Sequence, residues 1–271
     1  SEYWSLQGHF KSNDGKIFSR LVSIDADKVA IGNSFNKETG ELSAKNTVVL
    51  NSSQAEDLEN ALKDHDWKIS DLEKKPQTQN PYPPFITSTL QQEGIRKLRM
   101  NSTQIMRVAQ GLYENGYITY MRTDSINLSS EALQASRKVI KQKYGAEYLP
   151  DKPRVYKSKI KNAQEAHEAI RPAGSTFQDP SNLKNMLTDA EYKVYDLIWK
   201  RTVASQMNSA KIEQTKLQIS DGKYIFRANG KTIIFPGFLR AYVEGADDPT
   251  ADLDDLEKTL PKVAIGDSVT W

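Results

Sequence analysis

The 271-residue chain contains no cysteine and only three histidines, His9, His65 and His167, set far apart. Disulfides, thiolate zinc sites and thiol catalysis are therefore excluded, and a histidine metal cluster is disfavoured. No apolar run approaches the roughly 18 residues of a membrane-spanning helix. The opening Ser1-Glu2-Tyr3-Trp4 lacks the basic-then-apolar pattern of a secretion signal. Together these absences predict a cytoplasmic protein with no membrane partner. Neither a Gly-X-Ser-X-Gly elbow nor a His-Glu-X-X-His zinc helix occurs. Gly230-Lys231-Thr232 looks like the end of a phosphate-binding loop, but Ile225 stands where its first glycine should be. We read it as a hairpin turn and expect no use of ATP. Asp25-Ala26-Asp27 and the acids Asp252, Asp254 and Asp255 could hold a cation, yet such residues more often sit in turns or solvated loops.

Charge is abundant but nearly balanced, with 37 basic and 35 acidic residues. The balance hides a pattern. Residues 1–79 carry 10 bases and 13 acids, residues 80–206 carry 19 and 12, and residues 207–271 carry 8 and 10. Nine bases and two acids lie between Arg137 and Lys161, whereas Glu244–Glu257 holds seven acids and no base. A basic middle between mildly acidic ends suits a polyanion-binding module set in a neutral scaffold.

Local patterning divides the chain at the same places. Tyr3–Phe10 and Lys16–Val22 read as strands around the turn signal Asn13-Asp14-Gly15. Ser53 is the expected cap of a helix to Lys63, and Trp67-Lys68-Ile69 resumes an extended pattern. Four prolines in residues 76–84 resist helix and central strand, which places a boundary there. Helices are expected over Ser88–Met100, Ser102–Glu114, from Ser129 or Ser130 to Tyr144, and from the capping box at Thr188 to about Gln206. Strand character returns at Ile212–Ile219, Tyr224–Arg227, Thr232–Phe235 and Ser268–Trp271. The order predicts an α+β fold. Residues 1–79 and 207–271 form a β-rich domain, and residues 80–206 form an inserted helical one.

One segment invites chemistry: Gly116-Tyr-Ile-Thr-Tyr-Met-Arg-Thr-Asp-Ser125. In an extended chain Tyr120 and Arg122, two apart, share a face. A phenol, with a pKa near ~10, is a poor nucleophile unless cations stabilise its phenolate. Arg122 could do that and could also hold the non-bridging oxygens of a phosphodiester. An ordinary core tyrosine and a surface arginine would give the same spacing.

Ile118-Thr-Tyr-Met-Arg-Thr-Asp-Ser125 closely resembles the active-site motif of type IA DNA topoisomerases. Pro84-Phe-Ile-Thr-Ser-Thr-Leu-Gln-Gln-Glu93 resembles the family segment upstream of it. Ala163-Gln-Glu-Ala-His-Glu-Ala-Ile-Arg-Pro172 resembles the downstream one, and Ile198–Met207 the helix that leads out. Met121, where the topoisomerase III branch tends to have proline, points to the bacterial topoisomerase I branch. The resemblance implies that Tyr120 attacks single-stranded DNA and becomes 5′-phosphotyrosyl linked, with strand passage and religation following. It implies that Arg122 stabilises the scissile phosphate and that His167 and Arg171 contact DNA. For His167 a local hydrogen bond, and for Arg171 a structural ion pair, are the plainer alternatives.

The resemblance also marks what this sequence omits. The family's Asp-X-Asp-X-Glu magnesium cluster, carried on a Toprim domain, has no counterpart here: Asp25-Ala26-Asp27 is followed by Lys28 and Val29. The chain therefore resembles a central portion, a β-rich arch plus the nucleophile domain. It would be inactive without magnesium and the remaining domains of its parent polypeptide, and nucleoid-associated in the cell. The alternatives are a non-catalytic DNA-binding clamp module and a different tyrosine-dependent nicking enzyme. The latter usually needs paired metal-binding histidines, which are lacking.

Overall fold

The computed structural model describes residues 3–157, 167–242 and 256–271. Asp252, Asp254, Asp255 and residues 163–166 of the downstream motif lie outside the described residues. The chain divides into two compact units. One comprises residues 1–77, 213–232 and 257–271, and the other residues 78–212 and 233–256. The fold is α+β, as the order of sequence patterns predicts.

The first unit is built on a sheet. Its elements are β1 (Gln7–Ser12), β2 (Gly15–Ile24), β3 (Asp27–Val29), β4 (Thr47–Val48), α1 (Ser52–Leu62), β5 (Trp67–Gln79), β6 (Ala210–Ser220), β7 (Tyr224–Phe235) and β8 (Ser268–Val269). The ladder runs β4-β3-β2-β7-β6-β5-β8, with β1 paired to β2. Lys11 of β1 exchanges backbone hydrogen bonds of 2.7 and 3.1 Å with Thr270, just beyond β8. That exchange joins the β8 edge to β1 and closes the strands into a barrel. Strict alternation along β1 and β2 sends Phe10, Ile17 and Leu21 inward. Phe10, Trp67 and Phe226 meet edge-to-face at centroid distances of 5.3–5.4 Å. The Trp67 indole N–H donates to Leu62 O at 3.1 Å and ties the end of α1 to this core.

Both turn expectations in this unit have outcomes. Asp25 and Ala26 have φ of 47° and 72°, and Ile24 pairs with Asp27, which makes a two-residue hairpin turn. Lys223 lies 3.5 Å from the Asp25 carboxylate. The Asp-Ala-Asp pair is thus a turn. The Gly230-Lys231-Thr232 hairpin, by contrast, does not exist: β7 is one continuous strand across it. Gly230 is there for a close approach, since a Cβ would lie 2.9 Å from both Leu260 Cγ and Lys258 O. Lys231 and Lys258 exchange backbone hydrogen bonds of 2.9 and 3.0 Å beside it.

The second unit is helical: α2 (Thr87–Leu98), α3 (Ser102–Glu114), α4 (Ser130–Lys143), α5 (Pro180–Leu183) and α6 (Asp189–Ser205). Ser129 and Thr188 cap α4 and α6 by accepting backbone N–H bonds, as their sequence positions predict, and Asn101 caps α3 in the same way. The cap of α1 is Asn51, which accepts Gln54 N–H, rather than the expected Ser53. The one-turn α5 was not anticipated. Helix α6 is buried on most of its surface, with Val194, Ile198 and Val203 inaccessible, so the other helices pack around it. Residues 233–242, expected with the outer segments, pack here instead, because Phe238, Leu239 and Tyr242 join this core. Gly237 permits the turn at φ 52°, where a Cβ would lie 2.5 Å from Asn208 O.

A buried polar cluster anchors α2. Glu93 pairs with Arg96 and accepts the Tyr242 hydroxyl at 2.5 Å, and Arg201 donates to Tyr242 Oη at 3.1 Å and to Pro83 O at 2.7 Å. Burial raises the Tyr242 phenol above its ordinary value; the Arg201 charge opposes this and Glu93 reinforces it. Tyr242 is accordingly a neutral donor in a structural network.

Candidate active site

Three distant segments of the helical unit are laced together by backbone bonds. Thr119 N–H donates to Arg171 O at 2.9 Å, Ala173 N–H to Tyr117 O at 2.9 Å, and Ile170 N–H to Phe85 O at 2.9 Å. The Thr119 hydroxyl donates to Ala169 O at 2.7 Å. Thr87, at the start of α2, holds the next turn: its Oγ1 lies 2.7 Å from Met121 O and accepts Thr123 N–H at 2.9 Å. The segment carrying Tyr120 is thus pinned on both flanks.

The pinning sets what is exposed. Residues 117–124 form a bend rather than the extended strand the spacing suggested. Ile118 and Met121 are buried, while Tyr120 (45% exposed) and Arg122 reach solvent on either side of Met121. The Tyr120 ring meets Tyr113 edge-on at 5.2 Å. Arg122 makes no ion pair with a described residue. An open cleft of about 480 Å³ is lined by Ile86, Thr87, Gln91, Arg122, Asp124 and His167, among others. All three motif segments therefore meet at one cleft. Its floor includes the N-terminal turn of α2, whose dipole favours an anion, next to the Arg122 guanidinium. Tyr120 is not among the residues lining that cleft.

A scan against protein families matches residues 1–271 to a family described as DNA topoisomerase. The chain belongs to the DNA topoisomerase family. It is 48% identical over 269 residues to DNA topoisomerase 1 of Synechococcus elongatus, covering 99% of this chain and 30% of that protein. Against DNA topoisomerase 1 of Streptomyces coelicolor it is 49% identical over 282 residues, covering 100% and 29%. Full-length topoisomerase I from Thermotoga maritima superposes with a TM-score of 0.66 at 27% identity, covering 98% of this chain and 39% of that one. These relatives uphold the bacterial topoisomerase I branch that Met121 suggested. The chain spans about 30% of the curated relatives' length.

In this topoisomerase chain Arg171 occupies a different environment from Arg122. It is 5% exposed, and its five N–H groups are all committed. Nε and Nη2 grip the Glu168 carboxylate at 2.5 and 3.2 Å, Nη1 donates to Pro172 O and Gly174 O at 2.9 Å each, and Nη2 reaches Ser129 Oγ at 3.4 Å. Partial burial pushes the Glu168 carboxyl up, but hydrogen bonds from Arg171 and Ser129 outweigh it and hold the group below its ordinary value. The ion pair named as the plainer alternative for Arg171 is thus present, and with its N–H groups engaged the side chain braces the 168–174 segment. His167 is exposed at the cleft. Sequence reasoning missed Thr87, Thr119 and Thr123. All three lie inside quoted motifs, but nothing local signals that their hydroxyls and amides join segments tens of residues apart.

Some of the basic excess between Arg137 and Lys161 is structural as well. Arg137 donates to Pro150 O at 2.8 Å, Arg154 to Met207 O at 2.6 Å, and Lys143 pairs with Asp179 at 2.7 Å. Among the described residues no group of three or more His, Asp or Glu side chains could hold a metal ion. The described residues therefore do not fit a magnesium site. No described helix is long and apolar enough to cross a membrane.

Proposed function

We propose that this chain is the nucleophile-bearing and hinge portion of a bacterial topoisomerase I that cleaves single-stranded DNA through Tyr120. The single observation that carries the reading is the pinned, solvent-facing Tyr120–Arg122 segment at the junction of three family motifs. Tyr120 Oη attacks the phosphorus of a backbone phosphodiester. A P–O bond forms to the phenol, the bond to the 3′-oxygen breaks, and a 5′-phosphotyrosyl ester and a 3′-hydroxyl result. The ester conserves the bond energy, so religation needs no ATP. Arg122 is placed to hold the non-bridging oxygens as charge accumulates on them. His167 at the cleft contacts the bound strand.

Residues 1–77 with 213–232 and 257–271 serve as the arch, the helical unit moves to open the gate, and negative supercoils relax. The acidic magnesium cluster comes from elsewhere in a polypeptide of the relatives' length. The 271 residues by themselves are therefore inactive, and relaxation by them alone would contradict this reading. The test incubates a polypeptide of that full length with end-labelled single-stranded DNA and magnesium, then denatures it. A covalent adduct is expected, and Tyr120→Phe should abolish it. An adduct that persists in Tyr120→Phe moves the nucleophile elsewhere, and no adduct in either favours a non-catalytic clamp.

A further inference from the structure

The barrel carries a second feature that the Tyr120 chemistry does not use. On its outer face the antiparallel register sets Lys11 opposite Lys16, His9 opposite Phe18, and Arg20 opposite Arg227. Like charges directly opposite in a ladder are destabilising, and here there are two such pairs in one strip. None of these four cations has an ion-pair partner among the described residues. Arg227 Nε is shielded from solvent yet has no hydrogen-bond partner, a costly state for a charged donor. Between the cationic pairs the Phe18 ring is 55% exposed and meets His9 edge-on at 4.8 Å. A depression of about 330 Å³ joins His9, Phe18, Arg20, Arg227 and Lys258.

Two acids lie beside the strip: Glu56 and Glu59 line a groove of about 770 Å³ together with His9, Lys11, Lys16 and Phe18. Neither forms an ion pair with Lys11 or Lys16 among the described residues. From Lys16 to Arg20 the strand spans about 13 Å, enough for a few nucleotides of an extended backbone. Cations flanking an exposed aromatic pair match the chemistry of single-stranded nucleic acid, whose phosphates need charge and whose unstacked bases need a ring face. A duplex would offer the charge but keep its bases stacked.

We propose that the outer face of β1, β2 and β7 is a binding site for single-stranded polynucleotide, with Lys11, Lys16, Arg20 and Arg227 on phosphates and the His9–Phe18 pair against a base. The ligand class is shared with the cleavage reading, but the site is independent of Tyr120.

The test measures fluorescence anisotropy of a labelled oligothymidylate with the 271-residue chain, beside a duplex of equal length. Arg227→Glu should weaken single-strand binding about fivefold or more and flatten its salt dependence, each phosphate contact contributing about 0.7 to the slope. The same change places a carboxylate opposite Arg20, so thermal stability should hold or rise, which separates binding from folding. Lys16→Glu, opposite Lys11, should behave alike and stands in if Arg227→Glu misfolds. Phe18→Ala should cost about fivefold in single-strand affinity with little change in salt slope. The cleavage reading is read out as a covalent adduct and this site as reversible binding, so failure of the one and failure of the other appear separately. Parent-like binding by the charge variants overturns the site, and a duplex preference with Phe18→Ala silent overturns its single-strand assignment.

Discussion

Arg122 and Arg171 sit in neighbouring segments of one unit, both inside family motifs, and their surroundings are opposite. Arg122 projects from a bend into an open cleft with no ion pair among the described residues, whereas Arg171 is buried with five donors satisfied. A guanidinium enclosed by carbonyls and a carboxylate is a brace, since freeing it would leave those acceptors unpaired. One that faces open space over a helix N-terminus is available to an arriving phosphate. The residue type is the same; the number of donors already in use decides the role.

The contrast is sharpest in substitution. In a polypeptide of the relatives' length, Arg122→Ala should slow single-turnover cleavage by a factor of about 10² to 10³, the usual effect of removing one charged transition-state donor. Arg122→Lys should fall between, because lysine keeps the charge but not the planar fork. Folding stability should be unchanged in both. Parent rates in both variants would remove Arg122 from the chemistry. Arg171→Ala should act the other way, lowering the unfolding free energy by about 3 kcal/mol as the Glu168 and carbonyl acceptors lose their donor. Denaturant titration measures it, and a shift within a few tenths of a kcal/mol would deny the brace.

A smaller effect is expected at Thr87→Val, which keeps the shape but removes the hydroxyl linking Met121 and Thr123. A loss of about 1 kcal/mol in the same titration, with faster amide exchange at Thr123, would register the untied loop. The smallest concerns pH. Glu168 is held below its ordinary value, so its stabilisation is complete above the unfolded-state pKa of about 4.3 and fades as pH falls through the folded-state value. Arg171→Ala should flatten that acid-side decline, and an unaltered pH profile would show that the pair contributes nothing.

How much of this was visible in the sequence follows from how local each cause is. At α1 the neighbouring Asn51 takes the place expected of Ser53, whereas the caps at Ser129 and Thr188 act over three residues and were legible. So was the Asn13-Asp14 hairpin, whose register Ser12–Gly15 follows from its turn. The barrel closure through Lys11 and Thr270 joins residues at opposite ends of the chain, and nothing near either predicts it. Gly230 was misread for the same reason, since the atoms that require a glycine there belong to Lys258 and Leu260. At the site the motif named the right segments but not the roles within them. Arg171's carbonyl partners, Pro172 and Gly174, are adjacent in sequence, yet only the folded backbone turns their oxygens inward.

The central claim is that the pinned, exposed bend presents Tyr120 for covalent chemistry. Tyr113, its edge-on neighbour and itself 42% exposed, is the natural rival. The most direct measurement is to trap the covalent complex with a labelled oligonucleotide, digest it, and identify by mass spectrometry the residue that carries the nucleotide. The account predicts a phosphotyrosyl ester at Tyr120 alone; nucleotide found on Tyr113, or on any other residue, would contradict it.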